Sequence, residues 1–313
     1  MCRLHTAFFG RVPLIRTIHR LRRAAAKTMG AVALAGAIAA LSACSATGTL
    51  NALTPSSGQV ETDIAYGQLP RQKLDIYTPS GTSPAAGWPV VVFFYGGSWN
   101  AGERADYYFV GEALASRGIL TLVADYRLYP QVRYPDFLID SAQALDWGLD
   151  NASRLGGDAK RVFVMGHSAG GYNAAMLALD PRWLKAGGHQ PSDLAGWIGL
   201  AGPYDLFPTR NPDVQPVFFH PDYPPQSEPV DFIRADAPRT FVAAPRDDTV
   251  VNPERSTQQL ARKLSAAGVP VVVKSYDNAS HVTLIGAFAW PLRFIAPVLD
   301  DVADFVQSTP AAM

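Results

Sequence analysis

One stretch, Arg161-Val-Phe-Val-Met-Gly-His-Ser-Ala-Gly-Gly171, constrains the fold more than any other part of the chain. Its apolar run from Val162 to Met165 predicts a buried strand. A sharp turn that carries Ser168 follows, and helix-like spacing resumes at once from Tyr172 to Leu179. The sequence therefore predicts strand, tight turn and helix in direct succession, with a serine at the apex.

The glycines of this turn indicate why the serine would be reactive. Its hydroxyl stands clear of the backbone only if the turn is strained, and side chains two residues to either side would then collide, which explains Gly166 and Gly170. The helix begins beneath the serine, so its first N–H groups face any anion that develops there. Gly-x-Ser-x-Gly between a strand and a helix is typical of a nucleophile elbow, whereas the bare pattern is weak evidence.

The rest of the body alternates buried strands with helices. Val60 to Tyr66 and Lys73 to Tyr77, separated by a turn, predict an antiparallel hairpin. Further strands are expected at Val90–Tyr95, Ile119–Ala124, Trp197–Ala201, Thr240–Ala244 and Val269–Tyr276, and further helices at Tyr107–Ser116, Asp136–Leu149, Glu254–Ala267 and Pro291–Gln307. This order predicts one α/β domain over residues 59–313, with a mostly parallel central sheet and helices on both faces.

Residues 203–238 interrupt the alternation. The segment is rich in proline, with interleaved aromatic residues at Phe207, Phe218, Phe219, Tyr223 and Phe232. A long irregular stretch in a compact domain is usually functional, so we expect a lid or a pocket wall here. Its aromatic content suggests an uncharged acyl or aryl substrate.

The first 43 residues carry seven basic residues and no acidic one, and they end in an apolar run from Ala31 to Leu41. Eleven residues are too few to span a bilayer, but they suit the apolar region of a secretory signal. Leu41-Ser-Ala-Cys44 resembles the bacterial lipobox, which implies a signal over residues 1–43 and lipidation of Cys44. The alternative is an ordinary signal with a chance cysteine.

Lipidation at Cys44 would place the protein in the bacterial cell envelope, facing the periplasm or the exterior. Ser45, in place of an aspartate, favours the outer membrane by analogy. Residues 44–58 are small and polar and predict a flexible tether. Beyond residue 43 the chain holds 20 basic and 27 acidic residues, a net charge of −7 that gives no support for nucleic-acid binding. Both cysteines precede the body, which excludes a cysteine-based metal site there.

A serine hydroxyl needs a base, and the body offers four histidines. His167 adjoins the serine but should point the opposite way across the turn, His189 lies in a predicted surface loop, and His220 lies in the proline-rich segment. His281 follows the last predicted strand, where the crevice of an open α/β sheet lies, so it is the best candidate.

An acid is needed to orient the base, and Asp247 or Asp248 could supply it after the strand Thr240–Ala244. An oxyanion needs backbone N–H donors. Ala169, which follows the serine, should provide one, and the loop Gly96-Gly-Ser98 after the first long buried strand should provide others.

The motifs of this chain resemble those of the α/β-hydrolase superfamily. The resemblance is to esterases related to hormone-sensitive lipase and to the feruloyl-esterase and kynurenine-formamidase-like group. The resemblance covers residues from Ile64 to the C-terminus. It depends on six motifs: Lys73-Leu-Asp-Ile-Tyr77, Tyr95-Gly-Gly-Ser-Trp99, Asp125-Tyr-Arg127, Gly166-His-Ser-Ala-Gly-Gly171, Asp248-Thr-Val-Val251 and Ser280-His281.

The resemblance implies that Asp248, which begins the Asp-x-Val-Val motif, is the acid, and that Gly97, Ser98 and Ala169 are the oxyanion donors. The family usually has His-Gly-Gly where this chain has Tyr95-Gly-Gly, which leaves open how the loop is held. Arg127 is expected to form a structural ion pair rather than to bind substrate.

The sequence thus predicts a serine carboxylic ester hydrolase that works through an acyl-enzyme on a small-molecule ester, without metal or organic cofactor. The triad is expected to be Ser168, His281 and Asp248. An arylformamidase or amidase with the same triad is one alternative. A hydrolase-like binding protein without catalysis is the other.

Overall fold

The computed structural model describes residues 46–308, and the chain from Leu50 onward forms one compact unit. The predicted signal and the predicted lipidation site at Cys44 lie outside the described residues. The eight strands are β1 (Gly58–Ala65), β2 (Lys73–Pro79), β3 (Trp88–Phe94), β4 (Leu120–Ala124), β5 (Gly157–His167), β6 (Gly196–Leu200), β7 (Thr240–Pro245) and β8 (Val271–Tyr276).

Seven α-helices occur within the described residues. They are α1 (Ala46–Ala52), α2 (Tyr108–Ala115), α3 (Asp136–Asn151), α4 (Ala169–Leu179), α5 (Gln259–Ala266), α6 (His281–Gly286) and α7 (Val298–Gln307). None of the helices within residues 46–308 has the length and apolar character that a crossing of the bilayer requires.

The strands form a single sheet in the order β1-β2-β4-β3-β5-β6-β7-β8. β1 pairs with β2, and β2 with β4, in antiparallel fashion, whereas every pair from β4 to β8 is parallel. The predicted N-terminal hairpin and mostly parallel sheet are confirmed. The parallel strands end at the same edge of the sheet, so the loops that follow β3, β5, β7 and β8 meet there.

The central strands lie inside the protein because their side chains are almost all apolar. β4, β6 and β7 are buried along their whole length, and β3 is buried from its second residue. A strand without an exposed face needs cover on both sides, which the helices provide. The two edge strands, β1 and β8, are more exposed, and in β8 Val272 and Val273 are each 39% exposed.

The structure differs from the predicted elements at four places, of which the unpredicted helix α6 is described with the site below. Part of the predicted tether forms α1, and the Asn51 amide donates to the Ala105 carbonyl at 2.8 Å. Helix propensity does not explain α1, which contains two threonines, a glycine and an asparagine; Asn51 Oδ1 also accepts from the Phe109 N–H at 3.1 Å, so tertiary contacts hold its last turn. The predicted helix at Glu254 opens with a π-helical turn, Glu254–Gln258, and the last helix begins at Val298, after Pro297.

Candidate active site

Ser168 occupies a strained turn between β5 and α4. Its backbone has φ 54° and ψ −121°, outside the regions that side chains favour, and its N–H donates to the Leu200 carbonyl at 2.9 Å. A Cβ at Gly166 would lie 2.0 Å from the Gly170 oxygen, and a Cβ at Gly170 would lie 2.0 Å from the Phe94 oxygen. Glycine is therefore required at both positions, as the sequence predicted.

Three side chains from separate loops converge at this turn. His281 Nε2 lies 2.8 Å from Ser168 Oγ, and His281 Nδ1 lies 2.8 Å from Asp248 Oδ2. The structure brings together Ser168 and His281, the candidates from the turn motif and the strand order, and Asp248, which the resemblance implied. Asp247, the alternative acid, is exposed.

The environment of Asp248 keeps its carboxylate ionised. Burial raises the pKa of this carboxyl, but the hydrogen bond and charge of His281 act against burial, and the net pKa lies below its usual value. Oδ1 accepts from the N–H groups of Val250 (2.8 Å) and Val251 (3.1 Å), which also favours the charged form. Oδ2 is left for the imidazole, so the loop fixes the orientation of the carboxylate.

His281 is the first residue of α6, a helix that the sequence analysis missed. Ser280 caps it: its Oγ accepts from the Thr283 N–H at 3.2 Å, while Thr283 Oγ1 accepts from the Ser280 N–H at 2.7 Å. Ser-x-x-Thr is close to a capping-box pattern, so a signal for this helix start was present. The capped turn fixes the backbone from which the imidazole projects.

His167, which the sequence analysis did not favour as the base, contacts the backbone of His281. Its ring is buried, and Nε2 lies 2.9 Å from the backbone carbonyl of His281. Burial, followed by the nearby imidazole of His281, lowers the pKa of His167 to about 3. The ring is therefore neutral at ordinary pH, and Nε2 carries the hydrogen because a carbonyl can only accept.

The other two histidines lie apart from the triad. His189 Nε2 lies 3.1 Å from Asp150 Oδ1, and His220 is an exposed residue whose ring packs against Tyr223.

The predicted oxyanion donors lie beside Ser168. Ser98 and Ala169 line the same cavity as the serine, and a Cβ at Gly96, directly before Gly97, would lie 2.9 Å from Ser168 Cβ. Gly97 has φ +126° and Ser98 has φ +50°, and the Gly97 carbonyl accepts from Asn100 and Ala101 at 3.0 Å each. Within the described part of the chain the N–H groups of Gly97 and Ser98 donate to no other protein group. These groups are free to bind an oxyanion.

Tyr95, which replaces the histidine usual in the family, holds this loop through its phenol. The hydroxyl donates to Asp125 Oδ1 at 2.7 Å and accepts from the Arg71 guanidinium at 2.6 Å. The ring is stacked between Tyr107 and Tyr126, with centroid distances of 5.3 and 4.9 Å. The loop is therefore held by the hydrogen bonds and ring stacking of Tyr95, which sequence reasoning missed.

Two further contacts fix the surroundings of the loop. The Trp99 indole donates to Asn173 Oδ1 at 2.9 Å, which ties the loop to α4. Arg127 pairs with the buried Asp140, with Nε to Oδ2 at 2.7 Å. The prediction that Arg127 forms a structural ion pair is confirmed.

A cavity of about 450 Å³ opens beside Ser168, and residues 203–214 form one of its walls. The aromatic residues of the segment do not line it. Phe218 is buried against Trp99 and Tyr172, and Phe207 stacks on Tyr223 at 4.3 Å. Phe207 also contacts Phe218, at a centroid distance of 5.1 Å, whereas Phe219 is 40% exposed.

Residues 46–308 contain no group of three or more His, Cys, Asp or Glu side chains arranged to hold a metal ion.

Comparison with known proteins places the chain among esterases. The BD-FAE family profile matches residues 74–264, more than half of the chain. An isoprenylcysteine alpha-carbonyl methylesterase of Arabidopsis thaliana is 37% identical over 155 residues, covering 48% of this chain and 36% of the plant protein. Esterase LipC of Mycobacterium tuberculosis is 28% identical over 240 residues, covering 70% of this chain and 58% of LipC. The chain therefore spans between about a third and about three fifths of the length of these relatives.

Among solved structures, a hyperthermophilic esterase from Pyrobaculum calidifontis superimposes with a TM-score of 0.66 at 21% identity, over 85% of this chain and 91% of the archaeal one. At this identity the match establishes the fold. The sheet order, the N-terminal hairpin and this match confirm the predicted α/β-hydrolase fold.

Proposed function

Because the chain belongs to the BD-FAE family, we propose that it is a carboxylesterase-type serine hydrolase with Ser168 as nucleophile, His281 as general base and Asp248 as the acid that orients the base. The observation that carries this proposal is the continuous hydrogen-bonded chain of the three side chains, with both contacts at 2.8 Å. Nucleophile, base and orienting acid within hydrogen-bond reach are what serine-based acyl transfer requires.

In the first half of the proposed reaction, Ser168 Oγ attacks the ester carbonyl carbon and its proton passes to His281 Nε2. The carbonyl π electrons move to oxygen, and the oxyanion binds the N–H groups of Gly97, Ser98 and Ala169. As the oxyanion collapses, the bond to the alcohol oxygen breaks. His281 gives its proton to that oxygen, and the acyl group stays on the serine.

The second half repeats these steps with water. His281 takes a proton from the water as it attacks the acyl carbon, and it then returns a proton to Ser168 Oγ, which releases the carboxylic acid. Asp248 remains a carboxylate throughout. Its lowered pKa supports this role, because an ionised acid stabilises the imidazolium form of His281 in both halves.

The test is hydrolysis of 4-nitrophenyl butyrate by the full chain. We expect Ser168→Ala and His281→Ala each to lower kcat by ~10³-fold or more, and Asp248→Asn to lower it by at least ~10²-fold. Asp247→Asn is the matched control. It changes a carboxylate in the same loop that is exposed, and kcat should stay within about twofold.

Equal activity in the wild type and in Ser168→Ala would contradict the mechanism. A folded protein that neither hydrolyses esters nor reacts with a fluorophosphonate probe would instead be a binding protein. Turnover of aryl formamides far above that of short esters would assign the triad to amide substrates.

We also propose that Cys44 is lipidated and anchors the protein to a membrane of the bacterial envelope. The support is the sequence alone, namely the basic region, the apolar run and the small residues before Cys44. Cys44→Ala should shift the protein from the detergent phase to the aqueous phase in a phase-separation assay. An unchanged distribution would refute the anchor.

A further inference from the structure

The cavity beside Ser168 has a charged lining whose charges do not cancel. Asp205, Arg210 and Arg255 all line it. Asp205 is fully engaged: Oδ1 accepts from Arg255 Nε at 3.0 Å, and Oδ2 accepts from Gln259 Nε2 at 2.9 Å. Asp205 and Arg255 therefore neutralise each other, and Arg210 remains as the uncompensated charge.

The neutral polar side chains of the lining have their oxygens already in use. Asn211 Oδ1 accepts from the Asp213 N–H at 2.9 Å, and Asn252 Oδ1 accepts from the Arg255 N–H at 2.9 Å. Each amide is thus oriented by its own loop, in an Asx-type turn. Across residues 46–308 the NH₂ groups of Asn211 and Asn252 donate to no protein atom.

Two hydroxyl oxygens of the lining also accept a hydrogen bond from the protein. Thr209 Oγ1 accepts from the Asn211 N–H, and Ser256 Oγ accepts from the Tyr204 N–H, at 3.2 Å each. Each of these four oxygens thus already accepts one hydrogen bond, whereas the two amide NH₂ groups have no protein acceptor, so the unused groups of these side chains are mainly donors.

Arg210 is exposed at this wall. Its guanidinium forms no ion pair within the described residues, in contrast to Arg234 of the same segment, which pairs with Asp236. A guanidinium presents a planar set of donors that matches a carboxylate. An unpaired arginine beside a reactive serine is therefore suited to bind an anionic group of the substrate.

We propose that the preferred substrate is an ester that also carries a carboxylate, and that Arg210, with the amide groups of Asn211 and Asn252, binds that carboxylate. This inference rests on the proposed esterase function. A neutral polyol fits less well, since its hydroxyl hydrogens would meet few free acceptors. One unpaired positive charge matches a monoanion, which favours a carboxylate over a doubly charged phosphate.

The carboxylate could belong to the acyl part of the ester or to the alcohol part, and paired esters distinguish the two. For the acyl part, mono-4-nitrophenyl glutarate is compared with 4-nitrophenyl pentanoate. For the alcohol part, 4-carboxyphenyl butyrate is compared with 4-carbamoylphenyl butyrate. The measured quantity is the ratio of kcat/KM, charged over neutral, for each pair.

We expect the wild type to favour the charged ester in one pair, and Arg210→Gln to lower that ratio about 10-fold, mainly through KM. Arg210→Lys should keep part of the preference, and Arg210→Glu should reverse it. Added salt should weaken the preference in the wild type. Arg234→Gln, the matched control, removes an arginine of the same segment outside the cavity and should leave the ratio unchanged.

Equal ratios in the wild type and Arg210→Gln for both pairs would overturn the inference. If the neutral esters are still hydrolysed by the wild type and not by Ser168→Ala, the proposed esterase function stands without it. If no ester is hydrolysed in a manner that depends on Ser168, both the proposed esterase function and the inference are wrong.

Discussion

The buried imidazole of His167, the residue directly before Ser168, supports the backbone of His281, with Nε2 2.9 Å from the His281 carbonyl oxygen. The two residues are 114 positions apart in the chain. The contact links the turn that carries Ser168 to the first turn of α6, which carries His281. His167 is therefore a positioning residue, since it acts through the backbone of His281.

Removing this support should reduce turnover more than substrate binding. We expect His167→Ala to lower kcat for 4-nitrophenyl butyrate by roughly 10-fold with little change in KM, because the base loses its fixed backbone. His167→Gln retains an N–H donor at a similar distance and should recover most of the loss. Equal losses in the two variants would indicate that His167 acts through packing alone.

The same residue should shape the dependence of stability on pH. Its pKa is about 3 in the folded protein and about 6.5 in the unfolded chain. Between these values the unfolded state binds a proton that the folded state excludes, so the free energy of unfolding falls as pH falls below about 6.5. The slope from this group approaches about 1.4 kcal/mol per pH unit.

Denaturant unfolding of the wild type and of His167→Gln between pH 6.5 and 4.5 measures this effect. The wild type should lose about 2 kcal/mol more than the variant, which has no titrating group at this position. Asp146, whose pKa is raised by burial to about 6, acts in the opposite direction, but it is present in both proteins and cancels. Parallel slopes would mean that His167 titrates normally.

Local rules were enough to predict the strained turn that carries Ser168. The collision of side chains at Gly166 and Gly170 is a property of one turn, and the buried strand before it is visible in the apolar run. The place of His281 followed from the order of strands, because parallel strands end at one edge of the sheet. The fold and these two candidates could therefore be predicted without coordinates.

Contacts between distant segments could not be predicted in this way. Spacing alone left Asp247 and Asp248 equivalent, because the direction of each side chain depends on how the loop after β7 turns. The partner of Tyr95, Arg71, lies 24 residues away in the hairpin turn. Composition also does not determine whether an aromatic ring in residues 203–238 faces the cavity or the core, where Phe218 lies.

The hydroxyl of Tyr95 should contribute to stability and to catalysis. Tyr95→Phe removes a donor to Asp125 and an acceptor from Arg71, and we expect the free energy of unfolding to drop by about 1–2 kcal/mol. A less firmly held oxyanion loop should also lower kcat several-fold. Urea unfolding and ester hydrolysis measure the two effects.

Tyr129→Phe is the matched control for this change. The Tyr129 hydroxyl forms no hydrogen bond within the part of the chain that the structure describes, so its loss should alter stability by less than about 0.5 kcal/mol. If Tyr95→Phe behaves like this control, the oxyanion loop is held by ring stacking and not by the phenol.

Gly170, like Gly166, should not tolerate a side chain. Alanine usually stabilises a helix by about 1 kcal/mol relative to glycine, yet here its Cβ would lie 2.0 Å from the Phe94 oxygen and 2.6 Å from the Tyr95 oxygen. Both obstacles are backbone atoms at the end of β3, and α4 cannot withdraw from them without moving Ser168. We expect Gly170→Ala to cost more than about 3 kcal/mol or to prevent folding.

Gly286→Ala, at the end of α6, separates this clash from the general effect of the substitution. The nearest atom to its Cβ would be the flexible Leu292 Cδ1 at 3.3 Å, so this variant should be neutral or slightly more stable. Thermal unfolding of both variants, followed by circular dichroism, makes the comparison. A Gly170→Ala protein as stable as Gly286→Ala would refute the close approach of α4 to the end of β3 on which the serine turn depends.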